Sequence, residues 1–239
     1  AGGVALAALS THRSGLPRLP RSAGVVRRSF ALWLRGANPY GDDVETLLDQ
    51  ARGTPVGRPR PRSSNLGFEL LGHALARAAG TGFAELVERR IASPLALQTL
   101  YAPAEPAELR PDALIGRSRS GRRQEPWTGE AIAPAGGLRA SIGDMALLVR
   151  AILDGTAPGM AALEPVARFL GPVRIGASWF TSTHDGREIT WHNGGTGGFR
   201  SWAGLDRGSR TGLVLLTATA IGVDAPGARM LSEVPASRS

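Results

Sequence analysis

The chain has 239 residues, of which 42% are hydrophobic, so it can bury a core and is not a disordered protein. Cysteine is absent and all 28 basic residues are arginine, which excludes disulfides, thiolate chemistry and any use of a lysine amine from this chain. The net charge of +8 leaves a nucleic-acid binder as an alternative. Because the arginines are scattered through loops without interleaved aromatic residues, we expect no nucleic-acid partner.

The first part of the chain, residues 1–172, is predicted to be mainly helical. Residues 4–9 are typical of the end of a helix that stops at a polar turn. Asp42 is predicted to cap a short helix, because Glu45 follows at capping-box spacing. The loop at 53–62 is too rich in proline for a helix or a central strand.

Two longer helical patterns follow. One begins at Ser64 with apolar residues on a single face and ends at Gly80, and another covers residues 82–92. Ser141 is predicted to cap a further helix, with Asp144 at its third position. The capping role of Ser141 is preferred to a catalytic one.

The last part, residues 173–239, is rich in β-branched and aromatic residues. Four runs divided by turn residues predict an antiparallel meander, followed by a closing helix at about 223–234. The strand runs are 174–183, 187–192, 198–205 and 211–217. Helices followed by strands predict one α+β domain over residues 1–239.

Four segments carry a resemblance to a known family. Residues 9–17 read LSTHRSGLP and are similar to the family segment LLTHTSGLP. Residues 63–72 read SSNLGFELLG, where the family has YSNLGYxLLG. Residues 191–201 read WHNGGTGGFRS and resemble an HxGxTGG strand and turn, and residues 134–138 match a further segment. The family is that of serine β-lactamases of class C type, D-Ala-D-Ala carboxypeptidases and related esterases.

The resemblance implies a β-lactamase/transpeptidase-like fold and a site built from two motifs, the SSN motif (residues 63–65) and the HNGG motif (residues 192–195). Asn65 would orient a substrate amide, and the backbone N–H of Gly195 would donate to an oxyanion. The complete set of expected site residues is Ser63, Asn65, His192, Asn193, Gly194 and Gly195. No metal or cofactor is expected, since no two histidines share metal-ligand spacing.

Departures from the family pattern bear on activity. The family's Ser-x-x-Lys segment is expected before residue 9, and this sequence does not contain it. The SSN motif has Ser63 where the family has a tyrosine that shares a proton with the nucleophile. We therefore expect a truncated or degenerate copy that lacks the N-terminal strands and the nucleophile helix, is inactive alone, and exposes the edge of the strand at 211–217.

Simpler interpretations stay open for each residue. Asn65 alone is typical of a helix start, His192 of a sheet residue, and the glycines at 194–198 of a turn. Structural or surface roles are predicted for the other three histidines, which are His12, His73 and His184. No Gly-x-Ser-x-Gly elbow is present, which argues against an α/β-hydrolase.

Two functions compete. The first is a serine hydrolase domain that transfers an acyl group from an amide or ester, in a small molecule or a peptide, to water through a serine acyl-enzyme. The second is a non-catalytic module that binds peptidoglycan-like or other acyl ligands. Family members are often periplasmic or extracellular, but the sequence shows no signal peptide and no membrane segment. Localisation, oligomeric state and the particular substrate are left open.

Overall fold

The structure is a computed structural model that describes residues 3–20, 23–40 and 42–234. Helices dominate the first part of these ranges, and one antiparallel sheet with a final helix forms the last. This arrangement confirms the predicted α+β class. In the described ranges, no helix has both the length and the apolar character needed to cross a membrane.

The first part contains six α-helices within the described residues. The predicted helix end at 4–9 corresponds to α1, and the pattern at 82–92 corresponds to α5 and a π-helical turn, Glu88–Ala92. The helix α2 was not predicted, because it has no acidic residue in its first turn to mark its start. The six helices are α1 Leu6–Ser10, α2 Ala23–Arg35, α3 Val44–Arg52, α4 Asn65–Ala78, α5 Phe83–Val87 and α6 Ile142–Leu153.

The predicted start of α4 at Ser64 and the predicted cap of α6 at Ser141 are both confirmed. At the start of α4, the Ser64 hydroxyl accepts a hydrogen bond from the Gly67 N–H at 2.9 Å. At the start of α6, the Ser141 hydroxyl accepts one from the Asp144 N–H at 3.2 Å. Each cap satisfies a backbone donor that has no partner within its own helix.

The predicted cap of α3 was wrong by one residue. The carboxylate of Asp43 accepts the hydrogen bond from the Thr46 N–H at 2.8 Å. Asp42 instead accepts two hydrogen bonds from the guanidinium of Arg28, at 2.7 and 2.8 Å. A bidentate, charge-assisted pair of this kind is stronger than a single capping bond, and the sequence did not reveal that Arg28 lies opposite Asp42.

The strands form one antiparallel sheet in sequence order, which confirms the predicted meander. Its first strand was not predicted, and the run at 174–183 is divided into two strands by a turn. The strand predicted at 187–192 continues through the glycines to Thr196. The elements are β1 Ala167–Leu170, β2 Val173–Ile175, β3 Phe180–His184, β4 Arg187–Thr196, β5 Phe199–Asp206, β6 Thr211–Thr217 and the final helix α7 Asp224–Glu233.

The two faces of the sheet are covered by different helices. Leu205 of β5 packs with Val149 and Ile152 of α6 on one face. Trp202 of the same strand packs with Leu231 of α7 on the other. Because successive residues of a strand point to opposite faces, this assignment also tells on which side each β4 side chain lies.

A separate apolar cluster holds the helical part together. Leu9 of α1, Leu47 of α3 and Leu66 of α4 are buried against Leu16 of the connecting loop. The cluster fixes the first turn of α4 against the loop that follows α1. The SSN motif lies at this junction.

Candidate active site

Asn65 is the first residue of α4, and its backbone and side chain are both held. Its N–H donates to the Arg18 carbonyl at 3.1 Å, while the adjacent Ser64 hydroxyl donates to the Pro17 carbonyl at 2.7 Å. The Asn65 side-chain Nδ2 donates to the hydroxyl of Tyr40 at 2.8 Å. The backbone of Asn65 begins the helix, while its carboxamide is available to the site. The two interpretations of Asn65 are therefore compatible.

Ser63 makes no comparable contact. Its side chain is exposed, and it forms no hydrogen bond to any residue that the structure describes. The phenol that the family places at this position is thus absent here, as expected. A different phenol, that of Tyr40, reaches Asn65 from 25 residues earlier in the chain.

Tyr40 was not predicted from the sequence as a site residue. Burial raises the pKa of its hydroxyl, and the hydrogen bond from Asn65 opposes that effect in part. Its ring packs edge-on against Trp127 with centroids 4.7 Å apart. One signal could have drawn attention to it: Tyr40 is one of only two tyrosines in the chain, and it follows an Asn-Pro turn.

His192 lies on β4, on the face of the sheet that is turned toward the helical part. Its Nε2 is 3.2 Å from the hydroxyl of Ser178, in the turn between β2 and β3. Burial lowers the pKa of His192, so its ring is neutral at neutral pH. Ser178 was not predicted as a site residue either, because residues 174–183 were predicted to form one strand and the turn at Ser178 became visible only in the structure.

A second histidine, His12, lies beside His192. Its Nδ1 accepts a hydrogen bond from the Ser64 N–H at 3.3 Å, and its ring packs on Phe68 at 4.7 Å between centroids. Burial, followed by the proximity of His192, lowers the pKa of His12 to about 4. The structural role predicted for His12 agrees with these contacts, which also connect the SSN motif to the HNGG motif.

The glycines of β4 allow close backbone approach. A Cβ on Gly194 would lie 2.7 Å from the Ser201 hydroxyl oxygen, and one on Gly197 would lie 2.5 Å from the Glu125 carbonyl oxygen. Gly194 and Gly195 belong to the strand, whereas Gly198, with φ +80, forms the turn. The turn interpretation therefore applies only to the end of this segment.

Asn193 lies on the opposite side of the sheet from His192. Its side-chain Nδ2 donates to the carboxylate of Asp224 at the start of α7. The structure therefore does not bring the Asn193 side chain together with Asn65. Its predicted part in substrate binding gains no support from this placement.

A chain of contacts joins Asn65 to the end of β4. Tyr40 packs on Trp127, and a Cβ on Gly197 would lie 2.9 Å from Trp127 Cδ1. From another side, a Cβ on Gly136 would lie 3.2 Å from the methyl carbon of Thr196. Tyr40 and Trp127 thus lie between the SSN motif and the residues that follow β4.

Glu69 follows Asn65 by one helical turn and is buried. Its side chain forms no hydrogen bond to any residue in the described ranges. Burial, with a smaller effect from the nearby Asp42 carboxylate, raises the pKa of Glu69 to about 8. The side chain is therefore mostly neutral at neutral pH and adds little negative charge near Asn65.

The fold and this arrangement define a class. An antiparallel sheet with one helix on its outer face, and with a strand end that approaches the start of a buried helix, is the β-lactamase/transpeptidase-like fold. The sequence model of the beta-lactamase family matches residues 1–233. The chain belongs to the beta-lactamase family.

Similar solved structures share this fold at low sequence identity. A β-lactamase/D-alanine carboxypeptidase from Yersinia pestis, complexed with citrate, has a TM-score of 0.73 and 22% identity, covering 96% of this chain and 69% of that one. A class C β-lactamase from Rhodobacter sphaeroides has a TM-score of 0.72 and 19% identity, covering 94% and 70%. At these identities the likeness shows the fold alone.

One curated relative is similar over part of its length. The D-alanyl-D-alanine-carboxypeptidase/endopeptidase AmpH of Escherichia coli K12 is 32% identical over 102 residues, which are 42% of this chain and 25% of that protein. The matched region thus spans about a quarter of the curated relative.

Proposed function

We propose that this chain holds an acyl substrate, an amide or an ester, between Asn65 and the end of β4 in a serine hydrolase domain of the beta-lactamase family. One observation carries the proposal: the buried first turn of α4 and the glycine-containing end of β4 border the same region, connected through Tyr40 and Trp127. Beyond Trp191, β4 pairs with β5 but no longer with β3, and this unpaired strand edge and the carboxamide suit the recognition of a substrate amide or ester.

Each group has a role in this proposal. The Asn65 carboxamide orients the substrate by hydrogen bonding, and the Gly195 N–H donates to the oxygen that becomes negative when the acyl carbon is attacked. Neutral His192 contributes a polar edge to the site without adding charge. Glycines keep the strand open, because a side chain at Gly194 would collide with Ser201.

We further propose that the 239-residue chain binds such ligands without becoming acylated. Acyl transfer to a serine needs a base that accepts the hydroxyl proton. The family's amine is absent, since the sequence contains no lysine, and Ser63 has no phenol. Groups that act as one unit lose most of their rate when any one is missing, so these absences favour binding over turnover.

The relative suggests the first ligand to test. AmpH is named as a D-alanyl-D-alanine carboxypeptidase and endopeptidase. A peptide ending in D-Ala-D-Ala is therefore the first peptide ligand, and a fluorescent penicillin is the first small-molecule ligand.

Two measurements test the proposal on the purified chain. Fluorescence anisotropy with a fluorescent penicillin is expected to show saturable binding that Asn65→Ala weakens. Intact-mass spectrometry after incubation with the same penicillin, or with a fluorophosphonate, is expected to show no added mass. A mass shift would refute the absence of acylation, and failure to bind either ligand would refute the assignment of the site.

A further inference from the structure

The loop that carries Tyr40 is anchored at several points. The Gly36 carbonyl accepts a hydrogen bond from the Glu125 N–H at 2.8 Å, and the Glu125 carboxylate accepts one from the Asn38 N–H at 2.8 Å. Asn38 also donates its side-chain Nδ2 to the Thr128 carbonyl at 2.8 Å and accepts from the Tyr40 N–H at 3.0 Å. The position of Tyr40 is therefore determined by a network of hydrogen bonds and not by its own contacts alone.

This network places the Tyr40 hydroxyl beside the SSN motif and the Tyr40 ring beside Trp127. The hydroxyl oxygen accepts the hydrogen bond from Asn65 Nδ2, and the ring lies against Trp127. Trp127 in turn contacts the backbone at Gly197, just beyond the HNGG motif. Among the described residues, no other phenol is bonded to either motif.

Two hydrogen-bond donors at this point have no acceptor. Tyr40 accepts a bond from Asn65, and within the described residues its own hydroxyl proton is donated to nothing. The Nε1 of Trp127 is buried and also lacks a partner in the described ranges. A buried donor without an acceptor is costly, so the Trp127 N–H favours an acceptor that a bound molecule supplies, and the half-buried Tyr40 hydroxyl beside it has a proton to donate to the same molecule.

The environment of Tyr40 also determines the protonation state of its hydroxyl. Its burial raises the pKa of the hydroxyl, and the nearby Glu69 acts in the same direction. The phenol therefore keeps its proton at neutral pH. A protonated phenol can donate a hydrogen bond, whereas it is poorly suited to accept a proton as a base.

We infer that Tyr40, and not position 63, supplies the phenol of this site: it positions the Asn65 carboxamide and donates its hydroxyl proton to an acceptor atom of the acyl ligand. The inference rests on the proposed function for its ligand, but the contact with Asn65 can be tested without one. Its role differs from that of the family tyrosine, because Tyr40 acts as a donor.

The two tyrosines of the chain, Tyr40 and Tyr101, make a direct test possible. In a Tyr101→Phe chain, tyrosinate absorbance followed against pH reports Tyr40 alone. We expect a pKa above that of a free tyrosine, and a further increase when Asn65→Ala is added, because the amide donor that stabilises the phenolate is lost. An unchanged pKa in the Asn65→Ala chain would refute the contact and the inference.

Binding of a fluorescent penicillin tests the donor role. Tyr40→Phe keeps the ring and its packing on Trp127 but removes the hydroxyl, and we expect affinity to fall roughly three- to tenfold, the effect of one hydrogen bond. Tyr101→Phe is the matched control and should bind like the wild type. The thermal transition of Tyr40→Phe should match that of Tyr101→Phe, which separates a loss of binding from a loss of folding.

The possible outcomes separate the inference from the function on which it rests. If Tyr40→Phe binds with wild-type affinity and Ser63→Ala binds more weakly, the hydrogen bond to the ligand would be assigned to Ser63, and the inference would be overturned. No binding by the wild-type chain would refute the proposed function and the donor role together. The tyrosinate titration would then still decide whether Tyr40 positions Asn65.

Discussion

The hydroxyl of Ser178 lies 3.2 Å from Nε2 of His192, so the turn between β2 and β3 is hydrogen-bonded to the histidine of the HNGG motif. Ser178 has φ +69, a left-handed conformation that is unfavourable for a serine. Its N–H donates to the Ser10 carbonyl at 2.8 Å, at the end of α1. One strained residue therefore connects the helical part to the strand that carries His192.

Substitutions at Ser178 should separate the effect of its hydroxyl from that of its backbone. Ser178→Gly removes the hydroxyl and relieves the strain, whereas Ser178→Ala removes the hydroxyl and keeps the strain. We expect both variants to bind a fluorescent penicillin roughly three- to tenfold more weakly, because the His192 ring loses its partner. Thermal unfolding should show that the glycine variant is at least as stable as the alanine variant.

The exposed hydroxyl of Ser120 provides the matched control. It lies 2.9 Å from the hydroxyl of Ser118, and neither serine belongs to the HNGG motif. Ser120→Ala should leave penicillin binding unchanged. Wild-type affinity in Ser178→Gly would contradict a role of the hydroxyl in positioning His192.

Gly197 should tolerate no side chain. In Gly197→Ala the new Cβ would lie 2.5 Å from the Glu125 carbonyl oxygen, which is backbone and cannot rotate away. We expect the free energy of unfolding to fall by about 1–3 kcal/mol, measured by urea denaturation. Gly222→Ala is the control, since a Cβ there meets nothing within 4 Å. Equal stability of the two variants would mean that the turn does not approach residue 125 closely.

Glu69 should make stability depend on pH. Burial raises the pKa of Glu69 from 4.5 to about 8, so the folded chain binds this proton more tightly than the unfolded chain. The free energy of unfolding must then decrease as pH rises from about 4.5 to about 8. Each unit of pKa difference corresponds to about 1.4 kcal/mol, which sets the scale of the decrease.

His12 has the opposite effect in a different range. Its pKa is lowered from 6.5 to about 4, so its contribution to stability is lost as pH falls between these values. The two effects partly cancel below pH 6.5, and the decrease due to Glu69 should be visible between pH 6.5 and 8. Glu69→Gln should abolish that decrease in urea titrations, and the exposed Glu85→Gln should not. A persistent slope in Glu69→Gln would assign it to another group.

The sheet edge at β6 should promote association. Within the described residues β6 pairs only with β5, and its Leu216 side chain is 41% exposed. An unpaired edge offers backbone donors and acceptors to another chain. We expect the chain to form concentration-dependent oligomers in sedimentation velocity and Leu216→Lys to reduce them. Ile221→Lys, at an exposed site outside the strand, is the control and should change little.

Local patterns predicted the elements with strong chemical signals. The start of α4 and the cap of α6 were predicted because a serine hydroxyl and a backbone N–H three residues later are close in sequence. The meander was predicted from β-branched runs divided by turns. The cap of α3 was misplaced by one residue, since two aspartates compete there and the choice depends on Arg28, 14 residues away.

The site was predicted in part. Asn65 and His192 were identified from motifs, and the structure gives each a polar partner, the Tyr40 hydroxyl for Asn65 and the Ser178 hydroxyl for His192. Tyr40 and Ser178 were not, since each reaches its partner across a distance in sequence that no local pattern records. Asn193 belongs to a motif, yet strand alternation turns its side chain toward α7.

The sequence alone was enough to predict the fold class and the resemblance to the family, because periodicity and motifs depend on residues that are close together in the chain. The absence of lysine follows directly from the composition. Tertiary packing decided which phenol meets Asn65, which hydroxyl meets His192, and that Glu69 is buried with a raised pKa. These depend on distances between segments far apart in the chain, and burial changes the energies of polar groups only once those segments have come together.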